Sequence, residues 1–157
     1  MSISFEIRQA SHPSDVKNFD TGRLRNEFLI EKLFGDDQIF LTYTGYDRYI
    51  AGGIMPVSGP LKLETIDPLK ADYFCQRREV GIINIGGPGI VTVDGQAFDL
   101  EMKEALFIGK GAKEIEFQSR DKGTPAKFYL NSATAHKEYP TRKITRDEAK
   151  VLDLGSK

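Results

Sequence analysis

Apolar and polar residues alternate in short runs along most of the chain. A period of two is typical of β-strands that bury one face and expose the other. The first run places Ile3, Phe5 and Ile7 on one side of a strand. Further strands are predicted at residues 30–34, 38–46, 49–55, 61–65, 80–85, 90–93, 97–100, 105–108, 115–117 and 126–131. The pattern therefore predicts an all-β fold.

Glycine and proline residues separate these runs and predict the turns. The pair Asp94-Gly95 is typical of a tight hairpin, because both residues tolerate the positive φ angles of a primed turn. The Gly-Gly-Pro-Gly segment at residues 86–89 resembles a phosphate-binding loop. It lacks a following helix and a Lys-Ser/Thr pair, so we interpret it as a turn between strands.

Helices are predicted to be short. Residues 16–19 and the segment that starts at residue 21 follow a turn that contains His12, which we assign to a loop. Thr145 and Glu148 have the spacing of a capping box, in which each side chain satisfies a backbone donor. We assign residues 1–138 to a β-barrel and residues 139–157 to an extended tail with a short helix that leads toward a second barrel.

Length and charge restrict the classes of function. The 157 residues fit one domain, whose core needs neither a disulfide nor a metal to fold. The 22 Lys and Arg residues nearly cancel the 23 Asp and Glu residues, so no nucleic-acid partner is expected. No apolar run reaches ~18 residues, so neither a membrane span nor an export signal is expected, and the default location is the cytoplasm. The single cysteine, Cys75, is predicted to be a packed thiol in a reducing compartment.

One segment carries part of a metal-binding pattern. The first motif of the cupin family has two histidines, a glutamate and a later glycine. Glu79 and Gly86 match the last two, whereas Asp72 and Phe74 occupy the histidine positions. A metal site of this type needs imidazole and carboxylate groups that converge on one cation, and phenylalanine has no ligand atom.

A second segment resembles the second cupin motif. Gly111 matches its glycine, whereas Gly109 replaces the proline and Glu114 replaces the histidine. The two histidines of the chain, His12 and His136, lie outside both motifs, so no metal is expected here. A carboxylate-only site stays open as an alternative, with the ligands Asp72, Glu79 and Glu114.

The other interpretation of these carboxylates is structural. Glu79 and Glu114 would point into a barrel pocket, where an unpaired charge is costly. The partners that would neutralise them are Arg77, Lys110 or Lys113.

A series of ordered blocks resembles the N-terminal half of the 5-keto-4-deoxyuronate isomerases, also called 4-deoxy-L-threo-5-hexosulose-uronate ketol-isomerases. The blocks lie at residues 25–29, 52–56, 77–79, 83–87, 91–95, 109–114, 123–129 and 139–141, and they span nearly the whole chain. The resemblance implies an all-β fold, a cupin-type antiparallel jelly-roll barrel with short peripheral helices.

The resemblance also implies an activity. These enzymes interconvert a ketose and an aldose in the cytoplasmic breakdown of pectin and related polyuronates, and the family is often a hexamer. Their zinc is held by three histidines and a glutamate in a second barrel. Residues 1–157 have no positions that match those ligands, so no catalytic or metal-binding residue of the family is assigned in this chain. The resemblance implies that zinc is bound in the C-terminal half of the family's proteins. Ketose–aldose exchange needs a base and an electrophile, and this barrel offers carboxylates without an evident electrophile.

The sequence leaves three hypotheses open. The first is a non-catalytic barrel for assembly and support, in which Tyr43, Tyr46 and Tyr49 form an association surface or simply cover the barrel. The second is a module that binds an acidic sugar without converting it, because arginine suits a uronate carboxylate. Its candidate residues are Arg77, Arg78, Glu79, Lys110, Lys113 and Glu114. The third is an independent metal-dependent sugar isomerase or lyase, which the missing histidines disfavour.

Overall fold

Strands dominate the computed structural model, which describes residues 3–155. The strands are β1 (Ile3–Arg8), β2 (Gln38–Thr44), β3 (Ile50–Met55), β4 (Leu61–Lys62), β5 (Arg78–Asn84), β6 (Gly89–Val93), β7 (Gln96–Leu100), β8 (Ala105–Ile108), β9 (Ile115–Ser119), β10 (Phe128–Thr134) and β11 (Arg142–Ile144). Two short helices, α1 (Pro13–Val16) and α2 (Thr21–Phe28), lie between β1 and β2. Single 3-10 turns occur at Asp67–Leu69, Phe74–Gln76 and Arg146–Glu148.

The order of the strands defines the architecture. One sheet has the order β1-β2-β3-β10-β5-β8-β11, and the other has the order β4-β9-β6-β7. The eight strands from β3 to β10 thus form two four-stranded layers in which every pairing is antiparallel. This is the strand order of a jelly roll. The expected all-β jelly-roll class with short peripheral helices is confirmed, although the two sheets do not close into a continuous barrel.

The pairing of β1 differs from the antiparallel expectation. β1 runs parallel to β2, from the pair Ile3–Ile39 to the pair Arg8–Thr44. A parallel pair needs a long crossover connection, and the segment with α1 and α2 supplies it. Alternation of apolar residues identifies a strand but does not fix its direction relative to its neighbour.

The hydrophobic core fills the space between the sheets. Phe117 on β9 and Phe128 on β10 are fully buried, and their ring centroids lie 5.3 Å apart. Phe74 packs into the same cluster with 2% of its surface exposed. Burial of a large apolar side chain contributes roughly 1.5–3 kcal/mol, so the interior of this barrel is a packed core.

The predicted strand at residues 30–34 is wrong, because these residues form a loop. The loop packs against the backbone of β3, and the carbonyl oxygen of Leu33 lies 2.0 Å from the position that a Cβ atom on Gly53 would take. The segment at residues 86–89 joins β5 and β6, as predicted, and the buried side chain of Asn84 donates to the carbonyl of Gly87 at 2.8 Å.

The segment assigned to the tail contributes to the fold. Arg142–Ile144 forms β11, which pairs antiparallel with β8 at one edge of the large sheet. A 3-10 turn follows, in which the backbone N–H of Thr145 donates to Oε2 of Glu148 at 2.8 Å, as the predicted capping box requires. The predicted barrel segment (residues 1–138) begins and the predicted tail segment (residues 139–157) ends outside the described residues, at residues 1–2 and 156–157. No helix within residues 3–155 is long and apolar enough to cross a membrane.

Candidate functional site

The residues of the first motif lie in different environments. Asp72 is exposed, and its backbone N–H donates to Oε1 of Gln76 at 2.9 Å. Phe74 and Cys75 are buried in the core. Burial raises the pKa of the Cys75 thiol to about 12. The packed thiol that the sequence predicted is confirmed, and the segment is held by apolar packing.

Glu79 and Arg78 face opposite sides of β5. Side chains alternate along a strand, and the buried residues Val80 and Ile82 define the inward face. Arg78 shares that face and is only 4% exposed, whereas Glu79 lies on the other face and is half-buried. The interpretation that Glu79 points into a barrel pocket is therefore wrong, and Arg78 takes the inward position.

The second motif forms the connection between β8 and β9. The backbone N–H of Gly111 donates to the carbonyl of Cys75 at 2.9 Å, so the two motif segments lie side by side. Gly111 has a φ angle of 101°, which favours glycine. The Asp94 carboxylate accepts hydrogen bonds from the backbone N–H groups of Lys113 and Glu114, with Oδ1 distances of 3.0 and 2.8 Å. The predicted hairpin at Asp94-Gly95 is confirmed, since Val93 pairs with Gln96 and both turn residues have positive φ.

A cavity of about 510 Å³ lies beside this pair of segments, and we call it the basic cavity. Four cationic side chains line it, and no carboxylate is among its lining residues within the described chain. The cations are Arg48, Arg77, Arg78 and Lys110. Tyr43, Phe74 and Thr134 belong to its wall. A concave site with an apolar wall and a few convergent polar groups is the usual form of a small-molecule site.

Arg78 is bonded to neutral oxygens. Its Nε–H donates to Oγ of Ser132 at 3.0 Å, and its Nη2 donates to the carbonyls of Ser132 at 2.9 Å and Arg48 at 2.5 Å. Burial lowers its pKa, but a guanidinium keeps its charge in proteins. Arg78 therefore places a positive charge in the wall of the basic cavity.

A second cavity, of about 440 Å³, is lined by other residues of the two motif segments. Its lining includes Lys113 and Glu114 beside Asp72, so positive and negative groups are mixed there. Of the six predicted substrate-binding residues, Arg77, Arg78 and Lys110 share the basic cavity, and Lys113 and Glu114 share this second cavity. The sixth, Glu79, lines neither of them. Glu79 and Glu114 form no ion pair within residues 3–155, so the suggested neutralisation by Arg77, Lys110 or Lys113 does not occur there.

A further groove lies elsewhere. It has a volume of about 740 Å³ between β1 and α2. Its lining combines the acidic residues Glu6 and Glu31 with basic residues, among them Arg8 and Arg25. Glu6 and Arg8 pair at 2.8 Å, so their charges are compensated within the groove.

The three tyrosines proposed as an association surface have separate environments. Tyr43 lines the basic cavity. Tyr46 packs near Phe28 of α2, with ring centroids 6.5 Å apart. Burial, together with the neighbouring side chain of Tyr129, raises the pKa of Tyr49 to about 12.

Sequence reasoning missed two residues of the basic cavity, Tyr43 and Arg48, as binding groups. Arg48 lies in the hairpin between β2 and β3, and both Asp47 and Arg48 have left-handed φ angles, of 52° and 53°. Strained turns of this kind are enriched at functional sites. The Gly-Tyr-Asp-Arg turn between two predicted strands was the available signal.

The comparison with protein families decides the identity of this barrel. The model of the KduI/IolB family matches residues 44–157. The chain belongs to this family.

The curated relatives described next all carry the same enzyme name. The chain is 57% identical over 156 residues to the 4-deoxy-L-threo-5-hexosulose-uronate ketol-isomerase of Formosa agariphila, which covers 99% of the chain and 56% of that protein. It is 50% identical to 4-deoxy-L-threo-5-hexosulose-uronate ketol-isomerase 1 of Bacteroides thetaiotaomicron, with the same coverage. It is 51% identical to the corresponding protein of Yersinia pestis, over 96% of the chain and 55% of that protein. The chain thus spans about half the length of the curated relatives it matches.

Solved structures with a similar backbone include cupin domains. The cupin domain of Schizosaccharomyces pombe Cnp3 aligns with a TM-score of 0.47 at 13% identity, over 62% of this chain and 64% of that one. The Ylba protein of E. coli aligns with a TM-score of 0.48 at 10% identity, over 65% of this chain and 40% of that one. The fold assignment rests on the strand order itself.

The residues of this KduI/IolB barrel do not fit a zinc ion at the motif positions. Within residues 3–155, no three His, Cys, Asp or Glu side chains converge in a metal-binding group. Phe74 and the neutral thiol of Cys75 are core residues. Glu79 lies on β5, whereas Glu114 lies in the connection between β8 and β9. The donor chemistry of a three-histidine, one-glutamate site is therefore missing at these positions.

Proposed function

We propose that this chain is the N-terminal barrel of a 4-deoxy-L-threo-5-hexosulose-uronate ketol-isomerase, and that it is non-catalytic and serves assembly or support. The proposal is supported by the 57% identity to the Formosa agariphila protein, which extends over nearly the whole chain and about half of that relative. The reaction class interconverts a ketose and an aldose, in a step of pectin and polyuronate breakdown that we place in the cytoplasm.

One structural observation carries the non-catalytic role. The space between the two sheets, where a jelly roll would hold a reaction centre, is filled by fully buried apolar side chains such as Phe74, Phe117 and Phe128. Moving a proton between adjacent carbons requires a base close to the substrate and an electrophile at the developing oxyanion. The nearest motif carboxylates, Glu79 and Glu114, lie outside this packed interior. The zinc that the reaction uses is assigned to the second barrel of the family.

The supporting role predicts association. A supporting role, together with the family resemblance, predicts a homo-oligomer, with a hexamer as the expected form. The resemblance also predicts a uronate-type sugar as the substrate of the complete enzyme. Neither nucleic acid nor a membrane is proposed as a partner, in keeping with the near-zero net charge of −1.

A fragment experiment tests this role. The chain is mixed with the separately produced C-terminal half of the Formosa agariphila relative, and the mixture is analysed by size-exclusion chromatography and by turnover of the keto-uronate. We expect the two fragments to elute together and the mixture to turn over faster than the C-terminal half alone. Separate elution with unchanged turnover would contradict a supporting role.

A further inference from the structure

The basic cavity concentrates positive charge in a chain whose total charge is nearly zero. Arg48, Arg77, Arg78 and Lys110 line it without a carboxylate among the lining residues of the described chain. Like charges brought together without a counter-ion repel one another, and the cost rises as water is excluded. An anionic ligand would remove that cost.

Arg78 is the strongest sign of such a ligand. A buried arginine is normally paired with a carboxylate. Arg78 is 4% exposed, and within residues 3–155 its bonds go to Oγ of Ser132 and to the carbonyls of Ser132 and Arg48. These bonds use the Nε hydrogen and both Nη2 hydrogens. A guanidinium has five N–H donors, so the two Nη1 hydrogens are left for a ligand in the cavity.

The surrounding backbone holds the guanidinium in place. Arg48 has a left-handed φ angle of 53°. Its backbone carbonyl accepts a hydrogen bond from Nη2 of Arg78 at 2.5 Å. Arg77 donates from its own Nη2 to the carbonyls of Leu69 and Lys70 at 2.7 and 2.6 Å, which fixes the loop on the other side. Donors that are fixed before binding lose little entropy when a ligand arrives.

The shape and wall of the cavity restrict the ligand. Its volume of about 510 Å³ lies in the range of small-molecule sites, which is roughly 300–1,000 Å³. Tyr43 and Leu69 offer apolar surface to a sugar ring, and Thr134 offers a hydroxyl group. A planar carboxylate matches the geometry of a guanidinium better than a single point charge does.

We propose that the basic cavity binds the carboxylate of a hexuronate through Arg78 and Lys110, with the sugar ring against Tyr43. This site lies beside the two motif segments, with Phe74 in its wall, and no catalytic step is assigned to it. The choice of a uronate rests on the proposed function, whereas the presence of an anion site rests on the charges of the cavity alone.

Titration of the 157-residue chain separates the possible ligands. D-galacturonate is compared by calorimetry with neutral D-galactose and with acetate and inorganic phosphate, at two salt concentrations. We expect D-galacturonate to bind at least roughly tenfold more tightly than D-galactose, because a charge-assisted hydrogen bond is worth about 1.5–3 kcal/mol. Equal binding of the two sugars, or no binding of D-galacturonate, would overturn the proposal. Acetate or phosphate binding as tightly as D-galacturonate would overturn the assignment to a uronate.

Two lysines of one turn give a matched pair of variants. Lys110 lines the basic cavity, whereas Lys113 lines the second cavity. We expect Lys110→Gln to weaken D-galacturonate binding by roughly three- to tenfold and Lys113→Gln to change it by less than about twofold. An equal effect of both substitutions would assign the affinity to general surface charge and contradict the proposed site.

Arg78 is tested with a check on folding. Arg78→Lys keeps the positive charge but removes the planar set of guanidinium donors. The circular dichroism spectrum of the variant is compared with that of the unchanged chain to check that it is folded. A folded Arg78→Lys variant is expected to lose at least roughly tenfold in affinity. Unchanged affinity in the folded variant would contradict a role for the guanidinium. No turnover is measured in these titrations, so their failure leaves the proposed function untouched, and failure of the fragment experiment leaves the anion site untouched.

Discussion

Cys75 shows how the core controls the chemistry of a single residue. Its thiol is fully buried, and burial raises its pKa to about 12, although the positive charge of Arg78 acts in the opposite direction. Disulfide exchange requires the thiolate. We therefore expect the folded chain to react with a chromogenic disulfide reagent at pH 8 at least ~100-fold more slowly than the chain unfolded in guanidinium. Equally fast reaction of both forms would contradict the burial of this thiol.

Residue-level prediction was limited by contacts that are distant in sequence. The inward position of Arg78 could have been deduced, because Val80 and Ile82 mark the buried face of β5 and alternate residues share a face. The expectation that Glu79 points inward rests only on the motif alignment. The bond from Arg78 to the carbonyl of Arg48 could not be deduced, because it depends on a left-handed turn formed by non-glycine residues.

Among the elements, the β6–β7 hairpin isolates the effect of backbone conformation. Gly95 has a φ angle of 85°, and a Cβ atom there would meet nothing within 4 Å. The only expected effect of Gly95→Ala is therefore the energetic penalty of a left-handed conformation at a residue with a Cβ atom. We expect the substitution to lower the free energy of unfolding by about 1–2 kcal/mol. Gly59 is the matched control, since its Cβ would also meet nothing within 4 Å and its φ is not in the left-handed range. Chemical denaturation should show Gly59→Ala to be neutral or stabilising by up to about 1 kcal/mol, and equal losses in both variants would contradict this account.

The edge strand β11 is joined to the barrel by an ion pair. Lys143 Nζ lies 2.7 Å from Oε2 of Glu104, whose side chain is 11% exposed. The hydrogen bond from Lys143, together with the backbone N–H of Glu101, lowers the pKa of Glu104 against the raising effect of burial. A lowered folded-state pKa gives stability that is present above the unfolded value of about 4.3 and is lost as the pH falls through the folded value.

Removing this carboxylate should therefore change the pH dependence of unfolding. Glu104→Gln is expected to lower the free energy of unfolding by about 1–2 kcal/mol at pH 7 and by less at pH 3, which lies below the unfolded pKa of about 4.3, measured by urea denaturation at both values. Glu64 is an exposed carboxylate, and Glu64→Gln should change the free energy of unfolding by less than about 0.5 kcal/mol. A loss for Glu104→Gln that is as large at pH 3 as at pH 7 would show that the charge is not responsible.

Most strands could be predicted from alternation, because each buries one face in a shared core. The exceptions follow from tertiary context. Residues 30–34 are apolar enough for a strand, but they cover the glycine backbone of β3 as a loop. β11 contains Arg142 and Lys143, and it becomes a strand only through pairing with β8. The parallel pairing of β1 depends on the long connection through α1 and α2.

At the scale of the whole molecule, the strand order and the family assignment agree. Eight strands form a jelly roll, and the chain is a KduI/IolB member that spans about half the length of its curated relatives. The packed interior, the outward Glu79 and the lack of histidines at the motif positions support the proposal that this barrel is non-catalytic. The central claim is therefore that this chain cannot isomerise the keto-uronate by itself.

The most direct test is the turnover of the keto-uronate by the purified chain, with and without added zinc, beside the Formosa agariphila relative. We predict no turnover above the uncatalysed rate in either condition, while the relative is active. Turnover by the chain at a rate comparable with the relative would contradict the account, because it would require a reaction centre formed by residues such as Asp72, Glu79 and Glu114.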